Sequence, residues 1–389
     1  MKKVILFGIP LSVCNLRCHY CYLSQRPSSY EGVIPEMKYS PEQIAYAMRK
    51  ERLGGISYFN LCADGETLLL PELAQYVKLL ALEGHYLEIV SNMVLTKKLE
   101  PLLDLEPDVL SHVEFKCSLH YLELKERGLL KRFAENVNAA WAAGASCNVE
   151  ITPSDELVPF IPEVKKYCME NFGALAHLTI ARNDATSGIN RLTNLSSDEY
   201  YSAWNQFNSS FFDFKNTIFG VKQTGFCEAG SWMYYVDMST GEARQCYKGC
   251  SVGNVFANPD EPLPDKPIGR CHDPHCYNGH MLMTAGLISG ATEIGYGDIR
   301  DRVRTDGTHW LRPELKAFST QSSEIAMRIL PALTKRLQEL RALLLGMRCV
   351  LSQRFNVCLD KQFNSNVSLR QLVEFDPDIP VARLQVKCR

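Results

Sequence analysis

Three thiols fall within eight positions in the run Cys14-Asn15-Leu16-Arg17-Cys18-His19-Tyr20-Cys21, just after a short apolar strand. Three cysteines spaced x3 and x2 in one loop can ligate three irons of a four-iron cluster, which leaves the fourth iron open to a ligand that is not protein. Zinc sites usually use paired C-x2-C units and close all four positions, so so tight a run suits zinc poorly. A disulfide knot does not fit either, because nothing else in the chain looks secreted.

A second thiol set lies at Cys227, Cys246, Cys250, Cys271 and Cys276. Gly241 gives the spacing C-x13-G-x4-C from Cys227 to Cys246, and Asp237–Gly241 reads as a hairpin turn, so these two cysteines fall on adjacent strands. The set can hold a cluster, or a structural zinc that recruits His272 or His275. Cys250 is then a spare ligand, a buried filler or a thiol that returns hydrogen to a substrate radical. Cys62, Cys117, Cys147 and Cys168 sit in apolar strand or helix settings and read as core.

The rest of the composition bounds the chemistry. The chain has 389 residues and a net charge of −2 with both signs mixed, so no basic face advertises nucleic acid or lipid. No apolar run is long enough to span a bilayer, and the start is too short for a signal peptide. Fifteen cysteines without an export signal point to metal or redox chemistry in a reducing compartment, the cytoplasm and an anaerobic one.

Positioning such loops needs a frame. Strand-like stretches at Val4–Ile9, Ile56–Cys62, Tyr86–Ser91, Val113–Leu119, Cys147–Ile151 and His177–Ala181 alternate with helical ones, of which the first opens on the capping box Ser40-Pro41-Glu42-Gln43. Strands alternating with helices imply an α/β fold with a parallel sheet, here an open, partial (β/α)6 TIM-like barrel. Glu114, Lys116, Ser118 and His120 alternate with apolar residues, as do Asn148, Glu150 and Thr152, with Glu88 and His177 placed similarly. Helices cover the outer face, so this polar face belongs in the lumen, as wall salt bridges or as substrate contacts. A second capping box, Ser196-Ser197-Asp198-Glu199, starts the helix after the barrel. Residues 295–310 read as polar loop, with Arg300–Gly307 a cationic stretch suited to phosphate or carboxylate, or simply solvated salt bridges. Residues 322–345 carry a leucine seam that packs on the body or supports helix-mediated self-association.

The C-x3-C-x-Tyr-C run resembles the signature of the radical S-adenosylmethionine (radical SAM) enzymes. That resemblance implies a cluster at Cys14, Cys18 and Cys21 whose open iron is chelated by S-adenosylmethionine, with Tyr20 among the cofactor-binding residues. Reductive cleavage of the sulfonium would then release a 5′-deoxyadenosyl radical. Cys62-Ala63-Asp64-Gly65-Glu66-Thr67 resembles the family's Gly-Gly-Glu motif, with Asp64 in place of the first glycine and Glu66 kept for the cofactor's amino group. Ser91 and Asn92, Ser118, and Arg182 as partner of the cofactor carboxylate complete the implied site. The second thiol set resembles the family's auxiliary modules, called SPASM or Twitch, and implies one auxiliary four-iron cluster on Cys227, Cys246, Cys271 and Cys276.

The resemblance divides the chain into a radical SAM core over residues 1–215, a small hairpin-containing module over 220–290, and a polar loop plus helical extension over 291–389. It implies an external reductant such as flavodoxin or ferredoxin. Strand one begins at Val4, which leaves no room for a leader-binding domain. The expected substrate is therefore a small polar molecule, a sugar or sugar nucleotide, that is dehydrogenated with the auxiliary cluster taking an electron. Epimerisation with Cys250 as hydrogen donor and peptide modification are the alternatives within the family. An iron–sulfur electron carrier and a zinc-stabilised binding module are the alternatives outside it.

Overall fold

The computed structural model describes residues 2–25, 30–186, 188–276 and 279–321. The leucine seam over 322–345, its self-association and the rest of the extension to 389 lie outside the described residues.

Six strands pair in sequence order, each parallel to the next: β1 (Val4–Ile9), β2 (Tyr58–Ala63), β3 (Tyr86–Ser91), β4 (Val113–Ser118), β5 (Ser146–Ile151) and β6 (His177–Leu178). Helices cross over between them, the first capped as expected: Ser40 accepts from Gln43 N while the Gln43 side chain returns to Ser40 N. Strand two starts at Tyr58 rather than Ile56, because its pairing register begins opposite Val4. The sixth strand is only two residues long, since β5 offers it partners at Glu150 and Ile151 alone. The barrel stays open. A short antiparallel ribbon, β7 (Arg182–Asn183) with β8 (Asn190–Arg191), follows it.

The expected hairpin forms after the barrel and joins its sheet, but Cys227 and Cys246 do not lie on its two strands: Cys227 makes isolated bridges to Gly269 and Ile288, and Cys246 follows the second strand. Strand β9 (Met233–Asp237) turns through Asp237–Gly241 into β10 (Glu242–Arg244), and β11 (Ser251–Asn254) follows antiparallel. The Asp237 carboxylate braces the turn, accepting from Ser239 N and Thr240 N at 2.9 and 3.1 Å. Strand β9 also pairs in parallel with β1, Val4 opposite Met233, so one nine-stranded sheet runs β11-β10-β9-β1-β2-β3-β4-β5-β6. Gly8 permits this join: a Cβ there would meet Tyr235 Oη at 2.0 Å.

Alternation on the strands sorts the side chains as expected. Leu87, Ile89, Phe115, Cys117, Cys147 and Val149 are buried under the helices, and the opposite face turns Glu88, Glu114, Lys116, Asn148 and Glu150 inward. What neutralises that polar lumen comes from the segment expected to be loop. Residues Tyr296–Arg300 form a helix, and Arg300 is fully buried rather than solvated. Its guanidinium meets Glu114 at 2.9 Å, Glu88 at 3.8 Å and the Glu150 carboxylate. Tyr296 Oη and Asn60 Nδ2 donate to Glu88 at 2.8 and 2.6 Å, and Tyr58 Oη donates to Glu88 and Glu114. Burial works against the charge on Glu88, but Lys116, Arg300 and the tyrosines outweigh it and hold this carboxyl below its usual range.

Trp310, also fully buried, packs at the N-terminal ends of β5 and β6. Its carbonyl accepts from Cys147 N at 3.3 Å and from the Trp141 indole at 3.2 Å. Breaking a buried ion network by removing one member costs about 3–5 kcal/mol. Arg300→Met should therefore lower the unfolding free energy by about that amount, read by urea denaturation; a loss near zero would mean the carboxylates need no counter-charge.

Candidate functional site

The C-terminal ends of the strands open onto a lumen cavity of about 270 Å3. Asn60 and Cys62 come from β2, Glu88 and Val90 from β3, Lys116 and Ser118 from β4, and Glu150 from β5, with His120 and Thr152 just beyond. Tyr20 and Cys21, from the three-thiol loop, line the same space. Cys62 thus belongs to the lumen wall and not to the core expected for it, because it shares the inward face with Asn60. Cys117, Cys147 and Cys168 are core.

The loop that follows β1 is held from two sides. Arg17 N donates to the Glu123 carboxylate at 2.8 Å and its guanidinium to the carbonyls of Cys14 and Leu16, at 2.5 and 2.8 Å. His19 bonds Glu156 at 2.9 Å on the other flank. Cys14 and Cys21 are half-buried and Cys18 is buried. Burial pushes the Cys14 thiol up to about 11 and Cys18 higher, and the neighbouring thiols add to both shifts. Metal uptake here must therefore displace protons.

Glu66, Ser91 and Asn92 meet in one network. The Glu66 carboxylate is buried and accepts from Ser91 Oγ at 2.7 Å, Asn92 N at 2.8 Å and Leu68 N at 3.0 Å. Asn92 Nδ2 reaches Asn15 Oδ1 in the thiol loop at 2.8 Å. At Gly65 the backbone packs closely on the chain itself: a Cβ there would meet the Val13 carbonyl at 2.1 Å, and Glu66 N bonds that carbonyl at 2.9 Å. Arg182 lines the cavity, stacked on Tyr22 at 4.2 Å and 3.4 Å from Asp184. Tyr20 Oη lies 2.8 Å from His120 Nδ1. Burial drives the His120 imidazole down to about 4, so it is neutral at pH 7 and can accept that hydroxyl proton.

Cys227, Cys246, Cys271 and Cys276 converge on a second, smaller cavity of about 30 Å3. Lys222 pins one rim by donating to the Cys271 and Asp273 carbonyls, at 2.7 and 2.5 Å. Burial raises Cys227 to about 11 and Cys276 to about 12. His272 is exposed, and His275 Nε2 is 2.9 Å from the Gly188 carbonyl. Cys250 is exposed and lines neither cavity, so the structure does not bring this thiol to the lumen as a hydrogen donor. Leu282 lines both cavities.

Among the described residues, no three His, Cys, Asp or Glu side chains are placed to hold a single metal ion. A tetrahedral zinc needs its thiolates about 2.3 Å from one point, whereas cluster thiolates each bind a different iron. The donor chemistry of both sets, soft thiols with no carboxylate among them, fits iron–sulfur ligation.

Sequence reasoning missed Lys215 and His280, which also line the lumen. Lys215 had a signal, since a lysine one turn after Phe211 in Ser210–Ile218 shares the buried face of a phenylalanine-rich helix. His280 had none.

A family model described as the radical SAM superfamily matches residues 9–115. No curated protein matches. Among solved structures, SuiB of Streptococcus suis is similar at 13% identity and TM-score 0.43, over 67% of this chain and 66% of that one. Native anSMEcpe with bound AdoMet is similar at 15% identity and TM-score 0.44, over 67% of this chain and 79% of that one. BtrN in complex with AdoMet and 2-DOIA is similar at 15% identity and TM-score 0.35, over 66% of this chain and 78% of that one. Among the described residues no helix is long and apolar enough to cross a membrane.

Two measurements follow from this geometry. Anaerobic reconstitution should load about eight irons per chain, and Cys18→Ala or Cys276→Ala should each retain about four; about four irons with one zinc would reassign the second set. Because His120 titrates near 4 when folded and near 6.5 when unfolded, protons bind the unfolded chain first, and stability falls as pH drops between those values. Urea titrations of His120→Gln should show a smaller loss across that window than the parent chain.

Proposed function

We propose that this chain is a radical SAM enzyme that abstracts hydrogen from a small polar substrate bound in its lumen. The observation that carries the reading is that Tyr20 and Cys21 of the three-thiol loop line the same polar cavity as the inward faces of β2–β5. The superfamily match over residues 9–115 supports it.

Cys14, Cys18 and Cys21 would hold a four-iron cluster, and Glu66, Ser91 and Asn92, with Ser118 and Arg182, would surround S-adenosylmethionine. When bound, this pair supplies one-electron cleavage of the sulfonium and a carbon radical able to take hydrogen from an unactivated C–H bond. The protein's own work is positioning and the exclusion of water. Glu66 keeps one acceptor site beyond its three internal hydrogen bonds, enough for an ammonium donor. Tyr20 is fixed by His120 at the cavity mouth. The cavity's size and its hydroxyl, amide and charged walls suit a sugar or sugar-nucleotide-like substrate.

Cys227, Cys246, Cys271 and Cys276 would hold an auxiliary cluster one side chain, Leu282, from the lumen. An electron acceptor in that place favours a net dehydrogenation, with a flavodoxin or ferredoxin as the external reductant.

Anaerobically reconstituted, dithionite-reduced protein should form 5′-deoxyadenosine from S-adenosylmethionine. Cys18→Ala should form none, and Glu66→Gln should weaken cofactor binding about tenfold. Equal traces from the parent and Cys18→Ala would end this reading.

A further inference from the structure

Four separate elements bring basic groups to the lumen wall: Lys116 on β4, Arg182 on β7, Lys215 on the helix Ser210–Ile218 and His280 on the helix Gly279–Thr284. They lie close enough together that Lys215, Lys116 and Arg182 all depress the protonation of His280, on top of its burial. Two of the four have carboxylate partners. Lys116 lies 3.3 Å from Glu150, and Arg182 lies 3.4 Å from Asp184.

Lys215 differs. It is only 5% exposed; its Nζ donates to the neutral Thr179 hydroxyl at 2.6 Å and sits 5.1 Å from the Phe211 ring centroid, and burial, with Lys116 and Arg182 nearby, weakens its hold on a proton. Among the described residues no carboxylate pairs with it. His280 is 8% exposed, and among the described residues its Nδ1 has no hydrogen-bond partner. The acids that share the cavity, Glu88 and Glu150, are already engaged by Arg300, Lys116 and the tyrosines. A buried ammonium without counter-charge either gives up its proton or takes up an anion.

We infer that the lumen receives its substrate through an anionic group, a carboxylate or a phosphate, bound by Lys215 and His280. The inference rests on the lumen being the substrate site, and it narrows a small polar substrate to an acidic one. The anion supplies the charge that the fold withholds from Lys215 and so restores its proton, and Thr179 keeps the amine in place before it arrives. A sugar phosphate or a sugar acid meets this requirement; a neutral sugar does not.

Minimal probes test the site without knowledge of the substrate. Inorganic phosphate and, separately, acetate would be titrated calorimetrically into the reconstituted full chain. At least one should bind in a 1:1 ratio, and which one assigns the substrate's acidic group. Lys215→Met should weaken that binding by about tenfold or more, while Lys215→Arg stays within about threefold.

Equal binding by Lys215→Met, or binding of neither probe by the parent chain, overturns the inference. So does displacement of the probe by S-adenosylmethionine, which would give Lys215 to the cofactor's own carboxylate. If the methionine variant misfolds by near-ultraviolet circular dichroism, His280→Gln carries the test, and unchanged affinity there is fatal. A parent chain that binds the probe but never cleaves S-adenosylmethionine would sink the proposed function and leave the anion site standing.

Discussion

The guanidinium of Arg300 sits with no solvent exposure among the carboxylates of Glu88, Glu114 and Glu150. Three acids turned into one lumen repel each other and lose their hydration, and neither cost is recovered unless a cation and enough donors arrive with them. Arg300 supplies the cation, and Tyr58, Tyr296 and Asn60 supply the donors. Burial alone would strip the charge from Glu88; in this company its carboxyl stays ionised more readily than in water. A closed eight-stranded barrel fills this volume with branched apolar layers. Here one arginine makes a hydrophilic interior tenable.

That floor decides what lies above it. Glu88, Glu150 and Tyr296 belong both to the network and to the wall of the cavity, so the cavity is polar because its base is ionic. The upper wall is set by the loop after β1, which Glu66 ties to the end of β3 through Ser91 and Asn92. The second thiol pocket is built from segments before, between and after the β9–β11 hairpin strands, and among the described residues a single leucine, Leu282, borders both spaces. Two groups of thiols and a polar chamber thus share one continuous frame.

The core of this arrangement was legible where local signals agree with the tertiary outcome. Alternation of polar and apolar residues in Val113–Ser118 and Ser146–Ile151 has a period of two, and parallel sheets bury one face under helices, so the inward direction of Glu114, Lys116 and Glu150 follows. Capping boxes at Ser40 and Ser196 are local and formed as read. Cys62 misled because a thiol in a mostly apolar strand reads as core, whereas its face is set by pairing to β1. Arg300 misled more deeply. An arginine beside aspartate and two further arginines looks solvated, and its three acidic partners lie between 150 and 212 residues earlier in the chain. No window of sequence contains that charge balance. Lys215 occupies the middle ground, betrayed only by the phenylalanines around it.

The parallel join between β1 and β9 bears on how the chain comes together. Val4 opposite Met233 means that a strand near the amino terminus acquires one of its two neighbours only after more than two hundred further residues exist. On a ribosome adding about 5–20 residues per second, that edge stays unsatisfied for about ten seconds or longer. Its sequence, Val-Ile-Leu-Phe-Gly-Ile, is apolar and β-prone, the kind of exposed border that recruits a strand from another molecule. The nascent chain's vulnerable interval therefore ends with the arrival of the β9 hairpin, not with completion of the six-stranded barrel.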